Sequence, residues 1–400
     1  MINEFTQCKR CLYRTNHPLG LILDSNGICS GCLVHEEKDS LDWDKRFKIL
    51  REIAESYKLR NSNNYDCIVP VTGGQDTFFV VHTVIHELGL NPLLVNFNRN
   101  FNSAVGIKNL AILRTSFLAD FRQFTINPVI ARKIVRTTLA NLGTVNWLSI
   151  AGQTSLPVRI ACELGIPLII WGGHQGVEQV GMFSHTDNVE MTSRYRKEHD
   201  LMGYDEHNIF EFDPDFKLED LSPLFYPSDD LIQKNCVRGI FLSNFLRWDP
   251  VAQHSFAREK YGYLGRKSRR TYYEFDNPDC PVYLGFQDLL KVQRFGYGKV
   301  TDQLVRDIRH KRITKSSAAI VEQEYLNKFP EGIQEFADWL GLSLKSFNPL
   351  LVSQDKEFAR KILTEEWRSR LSDSSIEGDI FDSKSEALID LDFTNIGKGI

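Results

Sequence analysis

Two groups of residues in this chain have types and spacings that could do chemistry. The first is Thr72-Gly73-Gly74-Gln75-Asp76-Thr77. The apolar run Cys67-Ile68-Val69-Pro70-Val71 precedes it, and Phe78, Phe79, Val80, Val81, Val84, Ile85 and Leu88 continue from it to Gly89. Buried strand, tight glycine turn and helix N-terminus in succession make an anion site. The glycines admit close approach of the backbone, the free N–H groups of the first helical turn point at the ligand, and the helix dipole favours negative charge. The hydroxyls of Thr72 and Thr77 add donors, and Asp76 can shape the turn or hold a metal bound to phosphates. A bare glycine pair also opens ordinary core helices, so the order of residue types carries the weight. A Walker A loop is excluded because no Gly-Lys-Ser/Thr ending follows. The nearest decoy, Gly265-Arg266-Lys267-Ser268, lacks the correctly placed first glycine.

The second group is Cys8-Lys9-Arg10-Cys11 answered by Cys29-Ser30-Gly31-Cys32, with seventeen residues between the pairs. That gap fits the zinc-ribbon pattern, in which two thiolate knuckles close a tetrahedron around Zn2+. Asp24-Ser25-Asn26-Gly27 reads as the hairpin turn that delivers the second pair. Cys8, Cys11, Cys29 and Cys32 would fill every coordination position, which makes the metal structural, and a lobe this small takes much of its folding energy from it.

Around these groups the composition is that of a globular chain: 42% hydrophobic, 25% charged, net charge -4 over 400 residues. The acidic balance argues against nucleic acid as a partner. No run of about eighteen apolar residues is present, and Met1-Ile2-Asn3-Glu4-Phe5 lacks a signal-peptide pattern, so no membrane association and a cytoplasmic location are expected. The elements needed to position the loop alternate as strands and helices, which predicts an α/β fold with a parallel sheet. Strands are expected at 67–71, 93–97, 121–125 and 167–171. Helices are expected from the loop to Gly89, at 103–115, at 129–142 and at 147–164, with Pro157 near a turn or start. Ligands gather beyond the carboxyl ends of such strands. Asn98 after the second strand and Gly172-Gly173-His174 after the fourth therefore join the loop as candidates, with His174 for sugar or phosphate contact. His82 and His86, four apart, read as packed or surface histidines, and Cys67 and Cys162 as core.

The segment 182–227 is polar and irregular and reads as an insertion covering the site. Leu242 to Tyr263 reads as helical. Arg266-Lys267-Ser268-Arg269-Arg270-Thr271-Tyr272-Tyr273 is the strongest basic patch, suited to nucleic acid, to phosphate or to a solvated loop. A helical stretch from Asp288 to Ile308 breaks at Phe295-Gly296-Tyr297-Gly298, and the acidic end from Ser372 is expected to be loosely held. The divisions expected are a zinc ribbon over 1–40, a nucleotide core over 41–180, a substrate-binding and helical region completing the core over 181–350, and an acidic tail over 351–400.

Thr-Gly-Gly-Gln-Asp-Thr resembles the pyrophosphate loop (PP-loop) of the ATP pyrophosphatases, which split ATP between the α and β phosphates. With the cysteine knuckles in the same chain, residues 5 to about 345 are similar to the N-acetyl sugar amidotransferases of surface-polysaccharide and nonulosonate synthesis. The likeness runs through Asp24 to Cys32, the loop, Asn98, Lys108-Asn109-Leu110, Leu246-Arg247-Trp248-Asp249, Lys291-Val292-Gln293-Arg294-Phe295-Gly296-Tyr297-Gly298 and Ile308-Arg309-His310-Lys311-Arg312-Ile313-Thr314. The departures are Gln75 for the commoner Lys, Thr72 for Ser, and Arg309-His310-Lys311-Arg312-Ile313 for Arg-x-Gly-Arg-Ile.

The resemblance implies an adenine nucleotide alpha-hydrolase-like core with ATP and Mg2+ as cofactors beside Zn2+. It implies nucleotide contacts at Thr72, Gly73, Gly74, Gln75, Asp76, Thr77, Asn98 and Gly172, with catalysis resting on Asp76. Substrate contacts fall at Gly173, His174, Lys291 and Arg294. The activity implied is adenylation of an acetamido oxygen on an N-acetylated sugar or nucleotide sugar, followed by ammonia attack to give an acetamidino group in lipopolysaccharide synthesis. Ammonia would come from a separate glutaminase and barrel subunit. This chain has Ile2 where an N-terminal nucleophile needs Cys, and no glycine flanks its spare cysteines. The rivals are a tRNA-thiolation or deazapurine-type enzyme with the same loop, and a zinc-ribbon interaction protein with an inactive loop. Salt-dependent tRNA binding would mark the first, and failure to bind nucleotide the second.

Overall fold

The computed structural model describes residues 5–58, 65–276, 278–326, 328 and 330–342, and the backbone of 393–394. Cys67–Pro70 (β1), Pro92–Asn98 (β2), Asn102–Ser103 (β3), Phe121–Thr125 (β4), Leu168–Trp171 (β5), Arg238–Phe241 (β6) and Phe393–Thr394 (β7) are its strands. Five of them form a sheet of order β4-β2-β1-β5-β6 with every pairing parallel, while β3 and β7 make a two-stranded antiparallel ribbon. Along β1 the side chains alternate between two cores. Ile68 packs with Leu93, Val95 and the helices behind the sheet, and Cys67 and Val69 pack with Phe78, Val81 and Leu94 in front. A strand buried on both faces needs an unbroken apolar run, which is what the sequence provides.

Helices Ser30–Ser40 (α1) and Trp43–Lys58 (α2) precede β1, and Gln75–His82 (α3), Ala104–Ser116 (α4), Pro128–Leu142 (α5) and Trp147–Leu164 (α6) connect the strands. Local signals set several of their ends. Ser103 accepts from the Gly106 N–H to start α4. Asn127 caps α5 with Pro128 in its first turn, and Gly143, left-handed at φ 65°, ends it. After β4 the chain crosses to the other side of β1, so the loops following β1 and β5 leave in opposite directions. That divergence opens a crevice at the carboxyl edge of the sheet.

Three expectations change. The loop helix is α-helical only to His82 and continues as a π turn over Thr83–Glu87, where the Leu88 N–H reaches the Thr83 carbonyl at 3.0 Å. Pro157 lies inside an unbroken α6, where burial of Leu156 and Val158 outweighs the lost hydrogen bond. The segment after residue 237 opens with strand β6, and its helix forms later, over Pro250–Tyr261. Asp249 accepts the Val251 N–H and Pro250 occupies the first turn there. The strand escaped notice because it is four residues long and contains Gly239.

The insertion carries four short helices, Ser193–Tyr195 (α7), Glu206–Phe212 (α8), Leu218–Leu221 (α9) and Asp229–Lys234 (α10), the last just beyond its expected end. It does not roof the crevice. The Met191 N–H donates to the Gly239 carbonyl at 2.9 Å, so the insertion lies along the edge strand β6 and satisfies backbone that would otherwise be open. Buried Arg196 pins it to α6 through Thr154 Oγ1 (2.8 Å) and the Ala151 carbonyl (3.2 Å), and pairs with Glu206.

Pro250–Tyr261 (α11), Pro281–Phe295 (α12), Lys299–Arg309 (α13), Lys315–Leu326 (α14) and Ile333–Trp339 (α15) complete the helices. Half of the basic patch is tied up internally. Arg270 is buried on Asp288 (2.6 Å), and Arg266 pairs with Glu331 at 2.7 Å. Lys267 and Arg269 remain exposed. No helix of the described residues is long and apolar enough to cross a membrane. Nearly all of the expected acidic tail, 351–400, lies outside the described residues.

Candidate functional site

The cysteine cluster is built by two tight turns. Gly27, left-handed at φ 77°, closes the Asp24–Gly27 turn, and Leu23 and Cys29 form an antiparallel bridge behind it. Cys8, Cys11, Cys29 and Cys32 are all buried, and their Sγ atoms lie within 4.8 Å of one another. Cys11 and Cys29 are 3.6 Å apart at sulfur, close to the ~3.8 Å edge of a tetrahedron with Zn–S near 2.3 Å. Backbone N–H groups of Arg10 and Cys29 point at Cys8 Sγ at 3.4 and 3.2 Å, the polarity a thiolate needs. The cluster is compatible with a zinc ribbon.

This lobe is not a free appendage. Leu12 and Tyr13 share a core with Val300, Leu304 and Val305 of α13. The Tyr13 hydroxyl donates to Asp302 at 2.7 Å. Buried Arg309 lies over the Tyr13 ring at 5.5 Å, with Nη2 3.8 Å from Cys29 Sγ and Nη1 2.7 Å from the Gln179 carbonyl. Gly31 admits this approach, since a Cβ there would fall 2.3 Å from Arg309 Nη2.

The crevice holds a cavity of about 320 Å³. Its floor is the turn after β1, from which Thr72, Gly74, Gln75 and Asp76 face the space. Gly73 lies beneath, left-handed at φ 82°, where a Cβ would stand 2.9 Å from Leu110. Thr77 turns back into the loop, its Oγ1 3.4 Å from both the Thr72 N–H and the Thr72 hydroxyl. Its N–H is held by Asp76 Oδ1 at 3.0 Å. Gly74 starts α3 and offers no side-chain cap of its own, so within the first turn the Thr77 N–H is taken by Asp76 Oδ1.

The walls come from elsewhere. Lys38 on α1 donates to Glu178 at 2.5 Å and to the Trp248 carbonyl at 3.0 Å. Arg99, the residue after β2, pairs with Asp279 at 2.9 Å, and Lys299 of α13 with Asp276 at 3.3 Å. Burial raises the Asp76 carboxyl above its ordinary value. Burial would also raise Asp276, but Lys299 and Arg306 outweigh it and hold that carboxyl low. His35 and His310 meet edge to face at 4.6 Å on one wall, and burial lowers them to about 2 and about 4, so both are neutral at physiological pH.

The remaining expected site residues are placed apart from this cavity. Asn98 donates to Thr125 Oγ1 at 3.1 Å and accepts from Asn102 at 2.8 Å, holding the end of β2 to β4. Gly172 and Gly173 pack against the Trp248 indole, where a Cβ on Gly173 would come within 2.7 Å of Nε1. His174 is buried in an aromatic box of Phe183, Tyr195 and Phe241, with neither ring nitrogen bonded, and burial lowers it to about 4. Lys291 is bound to Asp302 at 2.6 Å. Arg294 donates to the Leu142 and Gly143 carbonyls at 2.9 and 3.1 Å, closing the end of α5. Both border a second cavity of about 460 Å³, with Leu19, Leu139, His199 and Tyr204, away from the loop. His82 bonds the Tyr261 hydroxyl at 2.6 Å, as a packed histidine.

The residues that the sequence reading missed are the wall: Lys38, Arg99, Glu178, Asp276, Asp279, Lys299 and Arg306. Arg99 carried a signal, being the first charged residue beyond a strand end. Lys299 and Arg306 lie just outside the stretches 291–298 and 308–314 that carry the likeness, and the others lie on helices and turns distant in sequence from the loop.

Fold and cavity together define an α/β protein with a charge-lined pocket at the carboxyl edge of a parallel sheet and a four-cysteine lobe docked beside it. A family model described as "LPS biosynthesis protein WbpG-like, C-terminal domain" matches residues 247–370. The matched stretch supplies α11 to α15, and with them Trp248, Gln253, Asp276, Asp279, Lys299, Arg306 and His310 of the cavity wall. It fits a role in surface-polysaccharide biosynthesis. No curated protein compared with the chain matches it.

Proposed function

We propose that the chain is an ATP-dependent, AMP-forming amidotransferase that converts an acetamido group on a sugar or nucleotide sugar into an acetamidino group during lipopolysaccharide biosynthesis. The observation that carries this reading is the Thr72–Thr77 turn. It leaves the central strand of a parallel sheet, starts a helix with no capping side chain, and opens into a polar cavity. Its order of residue types supports ATP over another anion.

The chemistry follows from the weakness of an amide as an electrophile. Its oxygen does not leave as oxide, so ammonia alone does nothing. Attack of the amide oxygen on the α-phosphorus forms a C–O–P bond and breaks the bond to the β-phosphate, releasing pyrophosphate. Ammonia then adds to the carbon, AMP departs with the former amide oxygen, and loss of one proton from the added nitrogen leaves the amidinium cation, the form an amidine keeps near neutral pH. The backbone of the turn at Gly74 and Gln75 and the Thr72 hydroxyl, which line the cavity, would stabilise the departing pyrophosphate. Mg2+, when bound, would neutralise phosphate charge, with Asp76 as the carboxylate placed to hold it. Cys8, Cys11, Cys29 and Cys32 as thiolates would hold zinc in a structural role.

The test supplies purified chain with ATP, Mg2+, an acetamido sugar or its nucleotide derivative, and ammonium. AMP, pyrophosphate and a product of amidine mass are expected, and glutamine should not replace ammonium. ADP with free phosphate as main products would refute the reading. Tight, salt-sensitive tRNA binding would move it to the thiolation class.

A further inference from the structure

The charges lining the cavity do not cancel pair by pair. Lys38 is neutralised by Glu178 at 2.5 Å, Arg99 by Asp279 at 2.9 Å, and Lys299 by Asp276 at 3.3 Å. Two charged groups are left over. Asp76 forms no ion pair, and Arg306 forms neither a side-chain hydrogen bond nor an ion pair with any described residue. Asp276 and Asp302 act on Arg306 through space only, and each already has a lysine of its own. Partly buried guanidinium without a carboxylate is costly, because desolvation is not repaid by an acceptor. Its planar fork is suited to phosphate oxygens.

We propose that Arg306 is the cation that binds the polyphosphate in this cavity, acting opposite Asp76 on a magnesium chelate. A chelate presents both signs of charge at once, anionic oxygens for Arg306 and a divalent cation for Asp76. Free phosphate would leave Asp76 unanswered, and a free metal ion would leave Arg306 so. The loop itself brings no basic side chain, since Gln75 stands where a lysine could have, and the charge is supplied by Arg306, 231 positions further along the chain. Arg306 also lies one turn before Arg309, the residue packed on Tyr13 and Cys29, so one helix carries both the phosphate contact and the contact to the cysteine lobe.

This inference rests on the nucleotide reading, and its test separates the two. Full-length protein, wild type and Arg306→Gln, is titrated calorimetrically with Mg-ATP and, separately, with a magnesium-chelated nucleoside-diphosphate sugar. The expected result is wild-type binding of Mg-ATP, weakened roughly tenfold or more in Arg306→Gln, with part of the loss recovered in Arg306→Lys. Zinc content should not change and melting temperature should change little, because the side chain has no hydrogen-bond or ion-pair partner among the described residues. Weakening confined to the sugar nucleotide would assign Arg306 to the carrier diphosphate, which still supports it as the polyphosphate cation. Equal affinities in wild type and variant for whichever ligand binds would overturn the inference and leave the nucleotide reading standing. Failure of the wild type to bind either ligand would overturn both. Should Arg306→Gln be insoluble, Arg306→Lys alone decides, since a point charge cannot make the bidentate contact and a severalfold loss is expected.

Discussion

The cysteine lobe and the cavity are built on opposite plans. All four cysteines fall within the first 32 residues, and two short turns bring their sulfurs within 4.8 Å. The cavity takes side chains from the lobe helix, the loop after β1, the end of β2, α6, the segment after β5 and three stretches of the C-terminal half. One site is closed by local geometry, the other by the packing of the whole molecule. The difference teaches where damage should spread. A fault in the lobe should appear first as lost stability, and a fault in the cavity as lost chemistry on an intact fold. The two meet at α13, which holds the lobe through Asp302 and Arg309 and the cavity through Lys299 and Arg306.

The sharpest way to break this contrast is Asp76→Asn. It should lower AMP formation by a hundredfold or more, because it removes the one loop carboxylate in the cavity, while the melting curve stays within about 0.5 kcal/mol of wild type. Steady-state AMP release alongside differential scanning fluorimetry checks both halves. An equally large fall in stability would show that Asp76 is structural.

Cys29→Ser is the reciprocal experiment. Metal content should fall from one zinc per chain towards none and soluble yield should drop, while whatever protein survives binds Mg-ATP within a fewfold of wild type. Elemental analysis of fresh protein reads the first. A metal-free wild type would end the zinc assignment.

Arg309→Met tests the join. It leaves the Gln179 carbonyl and the cysteine sulfur without a buried donor, and about 3 kcal/mol of stability should be lost. Urea unfolding monitored at the aromatic residues gives the figure. A loss below about 1 kcal/mol would make the lobe an independent unit.

Acid should reach the same join. Burial alone would raise Asp302, but Lys291 and the Tyr13 hydroxyl outweigh it and hold the carboxyl at about 2 against an ordinary 3.8. A folded-state value below the unfolded one means stability that is present above about pH 4 and is lost as pH falls toward 2. The amount is about 2 kcal/mol. Urea midpoints across that range should show this slope in wild type and lack it in Asp302→Asn, which starts lower.

The smallest effect is expected from Arg294→Gln. This side chain closes the end of α5 beside the second cavity, so Mg-ATP affinity and AMP formation should change less than twofold at a stability cost of about 1 kcal/mol. A tenfold rise in KM for the sugar alone would return Arg294 to the substrate site.

Much of this molecule could be read along the chain, and the reasons are local. An apolar run ending at Gly73-Gly74 dictates a buried strand and a turn, since only glycine takes φ 82° beneath Leu110 without strain. Asn127-Pro128 and Gly143 fix both ends of α5 in the same way. The cysteine spacing brings four sulfurs together because two knuckles need only one hairpin turn between them. Residues whose partners are distant gave no such sign. His174 and Asn98 do stand at strand ends as the sequence suggests, yet the aromatic box and the β4 neighbour turn them inward. Lys291 and Arg294 lie in a motif-like stretch, but α12 presents them to a second cavity. The composition of the cavity wall was decided only when α13 packed between the lobe and the sheet. A loop sets its own backbone through φ and ψ, whereas a wall depends on which helix faces arrive opposite it, and hydrophobic burial far from the site selects those faces.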